Sequence, residues 1–314
     1  MMADRQGQES EQGGRIASDP RLLAALAAGL VAAVLSLWAF RGLPGGAFAL
    51  WLVSLPLFMA GIGFGGFAVM AAVGVAGLVL LLLGSGAGLG LFLALFGVPA
   101  LLLVLASTPL GTRGLSLSFA LLGLIPAAGV LLAAFLLGDA PGGLEGAMRA
   151  AAEIGLERMG LPAHEGLVEE LVRVKAAAIG FWVALALLVN AAAAAALLVR
   201  AGVIPAAPAW REARLPGWYP LLPALAGGFW LAAPEGGDAI RLSLLLVLLV
   251  PVFLHGLAAL HRASASLKGR SFVLGGAYAA LLILSVPVAL SVAGYGFYDI
   301  LNGTRARRAA PPRS

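Results

Sequence analysis

Two polar side chains within long apolar runs are the residues of this sequence best suited to bind a ligand. His255 lies in PVFLHGLAAL, one turn after Pro251, and Asn190 lies in LLVNAAAA. Removing a polar side chain from water costs free energy unless it gains a hydrogen bond or faces a cavity. Two interpretations stay open for each residue. His255 is either a neutral structural imidazole or a substrate contact or proton relay, and Asn190 is either a hydrogen bond between helices or a ligand contact.

A cluster of possible metal ligands occurs in HEGLVEE, which contains His164, Glu165, Glu169 and Glu170. This spacing is not the HExxH pattern that binds zinc, and one solvated face of a helix explains these residues equally well. The chain also has no cysteine. We therefore expect no metal site and no cofactor.

Sequence patterns typical of enzymes and nucleotide-binding proteins are missing. GIGFGG and GSGAGLG do not follow a strand of a βαβ unit, so they indicate turns and close helix packing instead of a phosphate loop. There is no GxxxxGK[ST] motif and no Ser/His/Asp or Cys/His set, and Glu235, Asp238 and Asp299 lie at predicted span ends, where water would keep them ionised and inert. We expect the chain not to be an enzyme, and any energy for transport to come from an ion gradient or a partner.

The composition indicates which solvent surrounds these residues. Of the 314 residues, 61% are hydrophobic and only 11% are charged, and the mean hydropathy is +1.00. Soluble domains have about 45–50% apolar and about 25% charged residues. The sequence therefore predicts an all-α polytopic transmembrane helical bundle in contact with the lipid bilayer, in a bacterial inner (cytoplasmic) membrane. The net charge of +5 comes from arginines scattered between hydrophobic runs, which disfavours nucleic acid as a partner.

Nine apolar segments are long enough, or nearly so, to cross the membrane. They cover residues 22–40, 47–62, 65–83, 89–106, 115–137, 176–199, 218–233, 240–260 and 272–293. The second contains Pro56 and the seventh contains Pro220 and Pro223, so either is a candidate for a re-entrant segment. A re-entrant seventh segment would leave eight spans, so we predict about nine (eight to nine).

Five regions follow from this pattern. Residues 1–20 are a polar tail predicted to be disordered, and residues 21–138 contain spans 1–5. Residues 139–175 form a polar loop with two amphipathic helices separated at Leu161-Pro162. Residues 176–296 contain spans 6–9, and residues 297–314 form a basic tail.

The first predicted span contains a stripe of small residues, Ala24, Ala28 and Ala32. A small-xxx-small stripe lets another helix approach closely. The stripe is therefore a candidate docking surface for a partner protein, and packing within the chain is the alternative.

Five segments in a fixed order carry a resemblance to a known family. They are LPLFMAGIGFG, LFGVPALLL, RLPGWYPLL, FLHGLAALH and GYGFYDILNGTRAR. Together they resemble the YybS-like family of polytopic bacterial membrane proteins of unknown function. That family is similar in fold to the S components of energy-coupling factor transporters, which bind small molecules and rely on partner subunits for energy.

The resemblance implies small-molecule binding or transport, with transporter subunits or other membrane proteins as partners. Two alternatives stay open: a non-transporting membrane scaffold or assembly factor, and a lipid-processing membrane enzyme.

Overall fold

Helices make up all the regular structure of the described residues. The computed structural model describes residues 19–83, 86–107, 112–208, 214–232 and 239–309, and no β-strand occurs among them. The helices are α1 (Pro20–Phe40), α2 (Gly46–Leu52), α3 (Ser54–Phe64), α4 (Gly66–Leu82), α5 (Gly86–Phe92), a π-helical turn (Leu93–Gly97), α6 (Val98–Ser107), α7 (Thr112–Leu136), α8 (Gly143–Arg158), α9 (Glu165–Arg200), α10 (Leu221–Leu231), α11 (Ala239–Ala263) and α12 (Arg270–Ala309). The predicted all-α class is confirmed. The predicted N-terminal tail lies almost entirely outside the described residues.

Helix length agrees with a membrane bundle. In the described part of the chain, seven helical segments are long and apolar enough to cross a membrane, and Gly66–Leu82 and Leu221–Leu231 are shorter apolar helices. The predicted second span is one of the seven, formed by α2 and α3 together. The predicted seventh span is α10, whose 11 residues extend about 16 Å, against a hydrocarbon thickness of about 30 Å.

The last helix, α12, is interrupted inside its apolar part. Ser285 has φ 29° and ψ −88°, which divides α12 into two helical segments. Pro287 follows, and proline lacks the N–H group that a helix interior uses. The second segment continues to Ala309, so most of the predicted basic tail is helical.

The two amphipathic helices predicted in the polar loop are present as α8 and the first part of α9. They pack through Ala152, Leu156, Val168 and Val172, which are all buried. Across the same pair of helices, Nη2 of Arg149 lies 3.8 Å from Oε1 of Glu169. The helix α9 continues from the loop into the sixth predicted span without interruption.

The chain divides into two compact units. Unit 1 comprises Met1–Gly114 and Leu185–Pro208, and unit 2 comprises Leu115–Ala184 and Ala209–Ser314.

In unit 1, the small residues of α1 pack against α4. An added Cβ on Gly29 would lie 2.6 Å from the carbonyl oxygen of Ala72, so only glycine permits this approach. Ala28 is 8% exposed and Ala32 is fully buried, whereas Ala24 is partly exposed. Packing within the chain therefore already accounts for Ala28 and Ala32, and docking of a partner on this stripe stays a prediction.

In unit 2, the core is centred on Tyr219, which is fully buried just before α10. Its hydroxyl donates a hydrogen bond of 3.0 Å to the carbonyl oxygen of Leu248 on α11. Pro251 disturbs the helical hydrogen bonds of that same turn, because it has no N–H and its ring crowds the preceding carbonyls. Gly123 on α7 leaves space for the Tyr219 hydroxyl and for Pro251, since an added Cβ would overlap the hydroxyl and would lie 2.8 Å from Pro251 Cγ. The tyrosine thus stabilises the α11 turn that precedes His255.

We expect Tyr219→Phe to lower the free energy of unfolding by about 0.5–1.5 kcal/mol, the usual contribution of one hydrogen bond. The matched control is Tyr298→Phe, because Tyr298 is 63% exposed and its ring contact with Tyr295 does not need the hydroxyl. Denaturant or thermal unfolding in detergent micelles measures both variants. Equal stabilities of the two variants would show that the Tyr219 hydroxyl does not support α11.

Candidate functional site

Two glycines set the distance between α11 and α12. An added Cβ on Gly256 would collide with the carbonyl oxygen of Val292, and one on Gly296 would collide with the carbonyl oxygen of Val252. The backbones are therefore closer than any larger residue at these two positions would permit. Gly256 directly follows His255, and Gly296 lies one turn before Asp299, so this contact brings the two side chains together.

His255 is bonded to a carboxylate. Its side chain is only 1% exposed, and its Nε2 lies 2.9 Å from Oδ2 of Asp299. An ionised carboxylate can only accept hydrogen bonds, so Nε2 carries the hydrogen and donates it to Asp299. The interaction is a charge-assisted hydrogen bond, which is stronger than one between neutral groups.

Arg262 binds the same oxygen of Asp299, with Nη2 at 2.8 Å. It lies two turns after His255, in the last turn of α11, and helical side chains point towards the helix N-terminus. Arg262 and His255 therefore reach Asp299 from the same face of α11.

The other imidazole nitrogen of His255 is buried, and none of the described residues forms a hydrogen bond to it. With the hydrogen on Nε2, Nδ1 is an acceptor with a free lone pair. A buried acceptor without a donor destabilises a fold by about 1–3 kcal/mol. A water molecule, a ligand donor or a proton would therefore complete the hydrogen bonding of Nδ1.

Asn190 lies in unit 1, whereas His255 lies in unit 2. Its amide nitrogen donates to two carbonyl oxygens, that of Trp51 on α2 at 2.5 Å and that of Ala186 on α9 at 2.8 Å. Both amide hydrogens therefore have acceptors, which is the arrangement of a hydrogen bond between helices. The ligand-binding role of Asn190 stays a prediction.

Comparison with known proteins gives no further constraint on this site. No protein-family model, curated protein or solved structure matches the chain. The resemblance to the YybS-like family and to S components therefore stays a prediction, and the site is interpreted from its own geometry.

The sequence singles out His255 as a candidate ligand contact, which stays a prediction, but it does not identify the partners of this residue. Asp299 was expected to be a hydrated, inert carboxylate at the end of a span, whereas its side chain is 35% exposed and bonded to both His255 and Arg262. The available signal was the pair of segments FLHGLAALHR and GYGFYDILNG, each with an ionisable residue within four positions of a glycine in an apolar helix. Close packing of such helices brings the ionisable residues into contact.

We expect Gly296→Ala to destabilise the protein, although alanine is the better helix former by about 0.8–1.0 kcal/mol. The added methyl group overlaps backbone atoms of α11, and overpacking typically costs about 1–3 kcal/mol. Gly294→Ala is the matched control, because nothing lies within 4 Å of its added Cβ. Unfolding measured in nanodiscs should show a loss of stability for Gly296→Ala only. A Gly296→Ala protein at least as stable as the control would contradict the close approach.

Proposed function

We propose that this protein binds or transports a small molecule across the membrane and couples that binding to uptake of a proton at His255. The observation that carries the proposal is the buried imidazole, bonded to Asp299 through Nε2 and with its Nδ1 lone pair unused among the described residues. Ionisable residues inside membrane bundles commonly mark substrate and proton pathways. His255 and Asp299 both lie on helices long and apolar enough to span a membrane.

The charges around His255 support proton exchange. With Asp299 ionised, Arg262 already compensates its charge while the imidazole is neutral. A proton that arrives at Nδ1 creates an imidazolium, which Asp299 can stabilise through the hydrogen bond that it already accepts from Nε2. Small changes in the distance from Asp299 to Arg262 would therefore change how strongly His255 holds a proton.

Nδ1 also offers a direct contact for a ligand. A hydroxyl or amide group of a small molecule could donate a hydrogen bond to Nδ1 while the imidazole is neutral. Protonation of Nδ1 removes this acceptor, so a ligand that only donates would compete with the proton. Coupled uptake therefore requires that the ligand presents an acceptor or a negative charge to the imidazolium, so that proton and ligand favour each other. The sequence contains no P-loop, which leaves an ion gradient or a partner as the energy source, and this proposal uses the proton gradient.

The test begins with native mass spectrometry of the protein in lipid nanodiscs, which identifies a copurified small molecule. The affinity for this molecule is then measured by calorimetry at several pH values. If one proton binds with the ligand, the affinity should fall about tenfold for each pH unit above the pKa of the unliganded His255.

The decisive variant is His255→Gln, in which the amide nitrogen can still donate to Asp299 but no group exchanges a proton near neutral pH. It should retain its melting temperature and lose the pH dependence. His261→Gln is the matched control, since His261 lies on the same helix and contacts Tyr278 at 2.9 Å, and it should retain the pH dependence. A stable His255→Gln protein with an unchanged affinity and pH profile would refute the proposal.

A further inference from the structure

A groove separate from His255 lies on the surface of unit 2, between α7, α10 and α11. Its volume is about 470 Å³, which is within the range of about 300–1,000 Å³ typical of ligand sites. Each helix lines it with residues at the spacing of one helical face, including Ala127 and Leu131 of α7, Leu225 and Phe229 of α10, and Arg241 and Leu244 of α11. The groove thus runs along helix faces that are otherwise apolar.

The groove is open to the surroundings of the bundle. Leu131 is 54% exposed, Leu225 51% and Phe229 68%. Two of the three helices, α7 and α11, are candidate membrane spans. Exposed apolar side chains on such helices face hydrocarbon, so an apolar chain suits the groove.

Among the described residues, Arg241 is the one charged residue that lines the groove, and the other described lining residues are apolar. It is the third residue of α11 and no acidic residue occupies the first turn of this helix. The backbone N–H groups of that turn lack acceptors within the helix and carry partial positive charge. An anion at this end of the groove would be stabilised by the guanidinium of Arg241.

We infer that the groove binds one anionic phospholipid, with its phosphate against Arg241 and one acyl chain along α7, α10 and α11. An amphiphile with one anionic group and an apolar chain matches a groove with one cation and apolar walls. An extended peptide does not match, because its backbone N–H and C=O groups would find no partners along the apolar lining. Arginine also suits phosphate, since its planar fork can donate two parallel hydrogen bonds.

This lipid site does not depend on the function proposed for His255. Arg241 and His255 lie 14 positions apart on α11, which corresponds to about 21 Å along the helix axis. Glu235 and Asp238 precede α11 and lie outside the described residues. The proposed phosphate contact rests on Arg241, so substitution of Arg241 tests it without changing His255.

The test titrates the delipidated protein in detergent with phosphatidylglycerol and, separately, with phosphatidylcholine of the same acyl chains, and counts bound lipids by native mass spectrometry. The wild-type protein should bind one phosphatidylglycerol at least fivefold more tightly than phosphatidylcholine. Arg241→Gln should remove this preference by weakening phosphatidylglycerol more than phosphatidylcholine, because the choline group already compensates the phosphate charge of phosphatidylcholine. Arg200→Gln is the matched control, because Arg200 is the exposed last residue of α9 and does not line the groove.

A second pair of variants tests the acyl chain. Ala128 is an exposed lining residue, so Ala128→Trp should fill the groove without disturbing the core. It should lower the affinity for both lipids at least fivefold. Leu136→Trp is its control, since Leu136 is a 69% exposed residue of α7 that does not line the groove. Melting curves establish that all four variants are folded.

Several results would overturn the inference. These are equal affinities of the wild-type protein for both lipids, an Arg241→Gln variant that keeps the preference, and displacement of phosphatidylglycerol by inorganic phosphate alone, which would indicate a simple anion site. A dimer that Ala128→Trp dissociates would identify a second copy of the chain as the occupant instead.

Discussion

A carboxylate that enters an apolar bundle must find cations and hydrogen-bond donors there, because hydrocarbon offers none. The packing of α11 against α12 meets this requirement for Asp299. Gly256 and Gly296 allow the backbones to approach, and the carboxylate then reaches His255 and Arg262 of the neighbouring helix. The contact between Nε2 of His255 and Asp299 follows from this one helix packing. It leaves Nδ1, to which no described residue forms a hydrogen bond, as the acceptor of the ring.

The helix α11 combines three chemically distinct stretches. Its first turns carry Arg241 at the end of an apolar groove, its middle contains Pro251 and the turn that Tyr219 supports, and its last turns carry His255 and Arg262. A proline within a helix is a common point of bending. Lipid at the first stretch and protonation at the last would thus act on one helix, and Pro251 lies between them.

The helices could be predicted from the sequence because hydrophobicity and proline or glycine breaks are local properties. The polar loop was predicted as two amphipathic helices for the same reason, and α8 and α9 confirm it. The partners of individual side chains could not be predicted, because they depend on which helices pack together. Asn190 bonds to Trp51, which lies 139 positions away. The position of Asp299 at a span end indicates a hydrated carboxylate, and its contact with His255 arises only once α12 packs against α11. The stripe of Ala28 and Ala32 illustrates the same difficulty, since small residues look alike whether they face a partner protein or α4.

The protonation state of His255 is the most direct measure of this account. The chain has three histidines, so nitrogen-15 NMR of histidine-labelled protein in nanodiscs can be assigned with His164→Gln and His261→Gln. The neutral imidazole of His255 should carry its hydrogen on Nε2 and leave Nδ1 bare, and Asp299→Asn should shift the Nε2 signal. A neutral His255 with the hydrogen on Nδ1, or an Nε2 signal that does not respond to Asp299→Asn, would contradict the bond between His255 and Asp299 on which the proposed proton coupling rests.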